Sequence, residues 1–364
     1  KVLVVESTPW LGGMLTSAGV SAIDGNYRLR GGLFGEFTDS LALRYGGYEN
    51  LKSGWGSNIL FNPAVGAQVL RNMADKAGVE LKMETGLRDA RSEPGMTKRP
   101  GSSGWTLTLS DGSRVKARIL VDGTELGDVA ALVGAAELQD RVATQDMTYV
   151  AIVKEYPDPV TPLKPEGYDP AYYSTCCDTW DKETMLDYGK LPDGHYMLNW
   201  PQGGNDIWIE YIDMNPEERD RAFKEAKLRT LGFIYYLQTE LGFSHIGLAD
   251  DVYPTEDRLP FFPYFRDVRR IAGRDTMTVE AAKEPYRFDL YTRAVAVGDY
   301  PVDHHHKQHP RHEELSHLWF GKIPSFCVPL GVVIPIETEN FLVADKAMSS
   351  SWEMNGATRQ IREC

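Results

Sequence analysis

The sequence predicts an α/β chain in which a mixed α+β segment interrupts a domain built on buried strands. Three observations carry this. Short continuous apolar runs that end in an acid, VLVVE at 2–6, ILVD at 119–122 and LVAD at 342–345, read as strands buried on both faces. Stretches with helical apolar spacing alternate with the first two of them. From about residue 145 the sequence turns aromatic, loop-rich and proline-rich, and the last such run appears only after it. The boundaries are therefore 1–144, an inserted 145–328 and a return at 329–364, within a length that accommodates two domains.

The elements follow in order. Val2 to Val5 run directly into Glu6, and a Gly-rich turn containing Pro9, Gly12 and Gly13 comes next. A strand closed by an acid is how the second strand of a dinucleotide-binding βαβ unit looks, the acid accepting hydrogen bonds from an adenosine ribose. The first strand of such a unit and its GxGxxG turn are then expected upstream of Lys1, so the sequence reads as part of a longer chain. Residues 31–45 have helical apolar spacing. A second helix starts at Asn62 as N-cap with Pro63 at the first helical position, carries Val65, Val69, Leu70 and Met73 on one face, and closes at Gly78. Its partner strand is VELKMETG at 79–86, and a polar interruption is expected over 92–104. Alternation around Asp111-Gly112 predicts a hairpin that returns into ILVDG. Asp128 to Val133 begin another helix. In the inserted segment, Asn215 caps and Pro216 starts a long helix that Gly242 ends, charged in its first half and apolar in its second.

Composition excludes some classes of function. A formal charge of −13 and the lack of any Lys/Arg run argue against a nucleic-acid partner. No stretch approaches the roughly eighteen apolar residues of a membrane helix. Compartment and oligomeric state stay open. The four cysteines make no disulfide framework at this length. The adjacent Cys176 and Cys177 read as a vicinal disulfide, as thiols near a redox group, or as two unrelated buried thiols.

Six segments then resemble landmarks of one family in the right order: VVESTPWLGGMLTSAGVS, FNPAVGAQVLRNMADKAGVEL, ILVDGTELGDVAALVGA, RLPFFPYFRDVRRIAG, VAVGDYPVDHHH and FLVADKAMSSSWEMNGATR. The family is that of the FAD-dependent oxidoreductases often labelled xanthan-lyase-like, related in fold to the glutathione-reductase and fumarate-reductase flavoproteins. The resemblance implies a Rossmann-like FAD-binding domain of glutathione-reductase type with FAD as cofactor. It implies that Glu6 holds the ribose and that Gly12, Gly13 and Met14 pass near the flavin. Asp122, Gly123 and Asp128 match the second nucleotide-binding stretch, here DGTELGD where DATGDGD is usual. Asp345 stands where the family often has Gly. Asn355, Gly356, Ala357, Thr358 and Arg359 match residues that lead into a helix whose N-terminus faces the cofactor.

The chemistry implied is hydride transfer from a C–H bond of a small molecule to the flavin. Residues 297–317 hold six of the eight histidines. His304 or His306, beside Asp303, is the expected general base, since a His paired with a carboxylate suits proton removal. The tract has no CxxC or HExxH spacing, so no metal is expected there. Arg266, Arg269 and Arg270 suit either a clamp on an anionic substrate or, with Arg266 and Arg270 sharing a face at helical spacing, salt bridges to the many nearby acids, and the resemblance, which puts this segment close to the active site, implies the first for Arg269 and Arg270. Trp200, Asn199 and Asn205 would suit a polyhydroxylated ligand, although aromatics at strand spacing also build cores. Two rival readings remain: a non-catalytic protein on a flavoprotein scaffold, motivated by DGTELGD and Asp345, and a metal-dependent hydrolase or lyase built on the histidine tract.

Overall fold

The structure, a computed structural model, describes residues 1–26, 28–94, 103–359 and 362–363. Strand β1 (Leu3–Val5) is followed by helices α1 (Gly32–Tyr45) and α2 (Pro63–Lys76) and by strand β2 (Glu80–Lys82). β1 and β2 pair in parallel, with Val4 opposite Leu81. A parallel pair needs a crossover, and α1 and α2 lie within it. The start of α2 is set locally: Asn62 Oδ1 accepts the Ala64 N–H at 2.9 Å, and Pro63 occupies the first turn. The apolar face expected for α2 packs through Val69 on Phe37 and Leu41 of α1.

Strands β3 (Leu87–Pro94), β4 (Ser103–Leu109) and β5 (Arg114–Ala117) form an antiparallel sheet. Its second turn is the expected one: the Asp111 carboxylate accepts the Ser113 N–H at 2.9 Å and Gly112 takes a φ of 82°. The interruption expected from Ser92 starts later, because β3 continues to Pro94 and pairs there with Ser103. It also ends earlier, since Ser103 and Gly104 belong to β4, and the residues between, 95–102, lie outside the described residues.

Strand β6 (Leu120–Asp122) and helix α3 (Asp128–Leu132) follow, and then β7 (Met147–Thr148), β8 (Ala151–Glu155), helix α4 (Lys182–Asp187), β9 (Tyr196–Leu198), β10 (Asp206–Ile207), helix α5 (Pro216–Thr239) and β11 (Ile246–Leu248). β8 lies between β11 and β9, and β10 pairs with β7. Phe233 and Leu237 of α5 pack among Met147, Ala151 and Tyr211 in the largest apolar cluster. The helix begins with a reciprocal cap, Asn215 accepting from the Glu218 N–H and Glu218 accepting from the Asn215 N–H. The chain closes with α6 (Val279–Lys283), β12 (Ala294–Gly298), α7 (His312–Leu315), β13 (Phe326–Pro329), β14 (Phe341–Val343) and α8 (Trp352–Thr358).

β14 pairs in parallel with β6, Leu342 opposite Val121. Burial of β6 on both faces, expected from its sequence, fails at Val121, which is 53% exposed. The β6–β14 pair is a sheet of two strands, separate from β1–β2, and alternate residues of so narrow a sheet reach solvent. No described helix is long and apolar enough to cross a membrane.

Because the α5 cap is two reciprocal hydrogen bonds, Asn215→Ala is expected to lower stability by about 1 kcal/mol. Urea unfolding should show a lower midpoint at an unchanged slope; an unchanged midpoint would mean that the cap contributes nothing.

Candidate active site

Five ionisable side chains form a continuous buried line. Arg266 Nη2 donates to Asp206 Oδ1 at 3.1 Å, and Asp206 Oδ2 faces His305 Nδ1 at 3.3 Å. His305 Nε2 faces Asp303 Oδ2 at 3.2 Å, and Arg359 Nη2 donates to that same oxygen at 2.8 Å. Burial alone would raise both carboxyls. Arg266 and His305 instead hold Asp206 down at about 2, and His305 and Arg359 hold Asp303 well below the usual range. Ionised carboxylates only accept, so a His305 ring nitrogen that carries a proton donates to the carboxylate it faces. The two carboxylates alternate with the basic side chains along the line, the arrangement that makes their burial tolerable. Beside it, Asp146 gives its carbonyl to Arg266 Nη1 at 2.9 Å. Burial, reinforced by Asp206, pushes the Asp146 carboxyl up to about 8.

His304 and His306 face the other way. Residues 303–306 form no helix, and alternate side chains of an extended segment diverge, which sends 303 and 305 to the ionic line and pairs 304 with 306. Asp303, expected to support His304 or His306, thus supports His305. His304 Nε2 lies 3.0 Å from the Glu353 carbonyl, which can only accept, so that nitrogen carries the proton. Burial lowers His304 to about 4, so its Nδ1 is an acceptor and takes the His306 Nε2–H at 3.2 Å. Burial and His304 lower His306 to about 3, which leaves His306 Nδ1 as a bare lone pair. That atom has no hydrogen-bond partner among the described residues. The Thr144 carbonyl lies on its side and favours the protonated ring without reaching hydrogen-bond geometry.

Helix α8 lies against this pair. A Cβ on Gly356 would stand 2.5 Å from His304 Cδ2, so glycine is what permits the approach. Asn355 Nδ2 donates to the Arg266 carbonyl at 3.1 Å while its buried Oδ1 has no partner among the described residues. Ala357 is in the core, and Thr358 Oγ1 bonds Ser350 Oγ at 3.4 Å. These residues, expected to precede a helix, lie inside α8, which Ser351 caps and Arg359 terminates.

The residues expected to hold the cofactor divide in two. Glu6 Oε1 accepts the Thr8 N–H at 2.7 Å, and Oε2 has no hydrogen-bond partner among the described residues. Burial, with Glu125 adding to it, raises the Glu6 carboxyl. Gly12 and Gly13 take φ values of 116° and 48°, and the N–H groups of Gly12, Gly13 and Met14 have no acceptor among the described residues. A free carboxylate oxygen and a run of unpaired amide donors fit an FAD, the first for ribose hydroxyls and the second for its oxygen-rich parts. Asp122 turns inward instead: Thr124 N–H and hydroxyl donate to Oδ1 at 2.8 and 2.7 Å, and Ala130 N–H donates to Oδ2 at 2.7 Å. Asp122 therefore ties its own turn to α3. Gly123 has open space on its Cβ side. Asp128 receives both Arg219 guanidinium nitrogens at 3.1 and 3.2 Å and Arg269 Nη1 at 3.0 Å, so it too is structural.

Arg269 and Arg270 do not face the polar centre. Arg269 binds Asp128 and the Leu126 and Ile212 carbonyls, and Arg270 binds Asp140 at 2.7 Å and the Ser350 carbonyl at 2.8 Å. The segment is not helical, so Arg266 and Arg270 share no helix face, and it is Arg266 that enters the centre. Trp200 and Asn205 are also engaged by the chain itself: Trp200 Nε1 donates to the Cys176 carbonyl, and the Asn205 amide spans the backbone of Tyr149, Leu198 and Trp200. Asn199 accepts from Arg266 at 3.3 Å. Cys176 and Cys177 are free thiols with sulfurs 3.3 Å apart. Two further residues escaped the sequence reading. Buried Lys346 donates to Glu125 and to the Phe265 carbonyl at 3.1 Å, and Glu125 Oε1 lies 2.6 Å from the Cβ position of Gly13. Neighbouring Asp345 takes a φ of 64°, a left-handed backbone that glycine, the residue the resemblance leads one to expect there, adopts without a Cβ penalty.

Asp146 generates a pH prediction. Its carboxyl titrates near 3.8 when unfolded and at about 8 when folded, so between these values the unfolded chain releases a proton that the native one keeps. This group therefore costs stability as pH rises through that window. Asp146→Asn removes the dependence, and its stability relative to the native protein should climb with pH, by at most about 1.4 kcal/mol per unit. Urea unfolding at about pH 5 and about pH 7.5 measures the difference; an equal difference at both would contradict the assignment.

Comparison with known proteins places the chain. It matches the profile of the family described as FAD dependent oxidoreductase over residues 1–364. No curated protein shows a significant match. Among solved structures it is similar to aklavinone-11 hydroxylase, in a ternary complex with FAD and aklavinone, at 18% identity over 43% of this chain and 34% of that one, with a TM-score of 0.25. It is similar also to CabE, an aromatic hydroxylase from angucycline biosynthesis, at 13% identity over 76% and 49%, with a TM-score of 0.36. A third is the halogenase PltM with phloroglucinol and FAD, at 11% identity over 60% and 39%, with a TM-score of 0.26. The chain spans a third to a half of the length of these three proteins. By its family match over the whole length, the chain belongs to the FAD dependent oxidoreductase family, enzymes of FAD-binding α/β fold whose cofactor is FAD.

Proposed function

We propose that the protein oxidises a small molecule at a C–H bond, with His306 Nδ1 as the base. The observation that carries this reading is the bare, buried lone pair of His306 beside α8, whose residues resemble the cofactor-facing stretch of the family. The flavin, when bound, accepts the hydride. As the C–H bond gives up its electron pair, the proton on the adjacent oxygen or nitrogen passes to His306 Nδ1, and a C=O or C=N bond forms. His304 fixes the orientation and tautomer of His306, and the Glu353 carbonyl fixes those of His304. Glu6 and the amides of Gly12 to Met14 would hold the cofactor. We read the domain as the glutathione-reductase type, with 145–328 inserted as the part that shapes the substrate site. The scaffold reading draws on Asp122, whose inward turn removes one expected cofactor ligand. For the hydrolase or lyase reading, no group of three or more His, Cys, Asp or Glu side chains among the described residues is placed to hold a metal.

The test is a visible absorption spectrum of the purified protein, followed by anaerobic bleaching with a panel of alcohols and amines. His306→Gln should leave FAD content unchanged and slow bleaching by about 10²-fold. A protein that neither carries flavin nor takes up added FAD sinks the reading; full-rate bleaching in the variant removes His306 as base.

A further inference from the structure

The adjacent thiols of Cys176 and Cys177 stand outside the site described above. Their sulfurs are 3.3 Å apart, so a bond of about 2.0 Å needs only a local movement. Cys176 is buried in the largest apolar cluster, whereas Cys177, at the end of the turn 174–177, is half-buried and is the sulfur that a reagent reaches first. The Cys176 N–H donates to the Tyr173 carbonyl at 3.0 Å, and Gly203 closes over the turn, its Cβ position 2.6 Å from the Cys176 nitrogen. The carbonyl of the 176–177 peptide accepts from the buried Trp200 indole, Nε1 donating at 2.9 Å. Trp200 packs in turn on Tyr188 and Trp55, with centroids 5.4 and 6.1 Å apart. Asp178, Asp181 and Glu183 lie within electrostatic reach of Cys177, and Tyr236 of α5 faces both thiols. Burial pushes both thiols up, and at Cys177 the three acids add to it.

We propose that Cys176 and Cys177 are a modification site, closed to a reversible disulfide by a neutral hydroperoxide, and that closure takes from Trp200 its hydrogen-bond acceptor. The Cys177 sulfur attacks the peroxide oxygen, the O–O bond breaks, the thiol proton leaves with the departing alcohol or water, and Cys177 becomes a sulfenic acid. The Cys176 sulfur then displaces that oxygen, which leaves as water with the second thiol proton, and the S–S bond forms. Two thiols are oxidised and one O–O bond is reduced. Neighbouring Cα atoms stand about 3.8 Å apart, below the about 4.4 Å at which ordinary disulfides begin. The ring therefore closes only if the peptide between them turns, and the carbonyl on Trp200 turns with it. Such strain makes the bond easy to reduce. The surrounding acids repel an anionic oxidant such as glutathione disulfide and leave a neutral one unhindered.

The intact protein, treated with hydrogen peroxide, blocked at its remaining thiols and digested, tests this by mass. Cys176 and Cys177 should appear joined in a peptide two hydrogens lighter, and dithiothreitol should restore it. The rate should rise about tenfold per pH unit between about pH 7 and about pH 8.5, since only the thiolate attacks. Rising salt should speed the reaction with glutathione disulfide and leave that with peroxide unchanged. The oxidised protein should unfold at a lower urea midpoint, because the bond closes no loop of chain and Trp200 loses its acceptor. Dithiothreitol should reverse that shift, Cys177→Ser should abolish it, and Cys327→Ser should leave it in place. Unmodified thiols, a sulfinic or sulfonic acid at Cys177 with no joined peptide, a joined peptide at an unchanged midpoint, or a reversible shift that Cys177→Ser retains overturns the proposal.

Discussion

The alternating line Arg266, Asp206, His305, Asp303, Arg359 is the constraint on which the rest of the site depends. Each of these ions, taken alone out of water, would cost several kcal/mol, and the attraction of neighbours of opposite sign offsets that cost only while the geometry holds. Its members come from four places: strand β10, the segment after β11, the stretch between β12 and α7, and the end of α8. The contacts that join them span 56 to 99 residues of sequence. Moving one segment leaves a buried charge without its partner, so the four segments are set in register together. The position of His306 follows from the same constraint, because the extended backbone that delivers 303 and 305 to the line delivers 304 and 306 to the opposite side.

That division also settles the protonation of the site. Burial, with Arg359 adding to it at His304 and the neighbouring histidines at His306, keeps both rings neutral beside the ionic line. A base held down at about 3 is a weak one in the free protein.

What was legible in the sequence was what local physics decides. The cap and first proline of α2, the Asp111-Gly112 turn and the reciprocal cap of α5 are each made by residues two or three positions apart. Family resemblance extended this to Glu6 and the Gly12 to Met14 loop. It misled at Asp122, since an acid at a strand end reads the same whether it reaches a ligand or collects the N–H groups of its own following turn. Resemblance favoured a substrate role for Arg269 and Arg270, whereas ion pairs with Asp128 and Asp140 claim both, the structural role that the nearby acids also allowed. Asp206, His305 and Lys346 were invisible as a set, because Asp206 lies 99 residues from His305 and Glu125 lies 221 residues from Lys346.

One residue joins the two halves of the site. The Tyr264 ring lies 4.8 Å from the Arg266 guanidinium and 6.0 Å from Lys346 Nζ, and its hydroxyl accepts from Arg359. Lys346 holds Glu125, and Glu125 lies against Gly13 in the loop that resembles the flavin-facing one. Three buried cations thus share a single aromatic ring, whose electron-rich face and oxygen soften their mutual repulsion. A displacement of the Gly13 loop reaches the ionic line through only two intervening side-chain contacts before Tyr264. The Gly13 loop and the ionic line are therefore joined mechanically through Glu125, Lys346 and Tyr264.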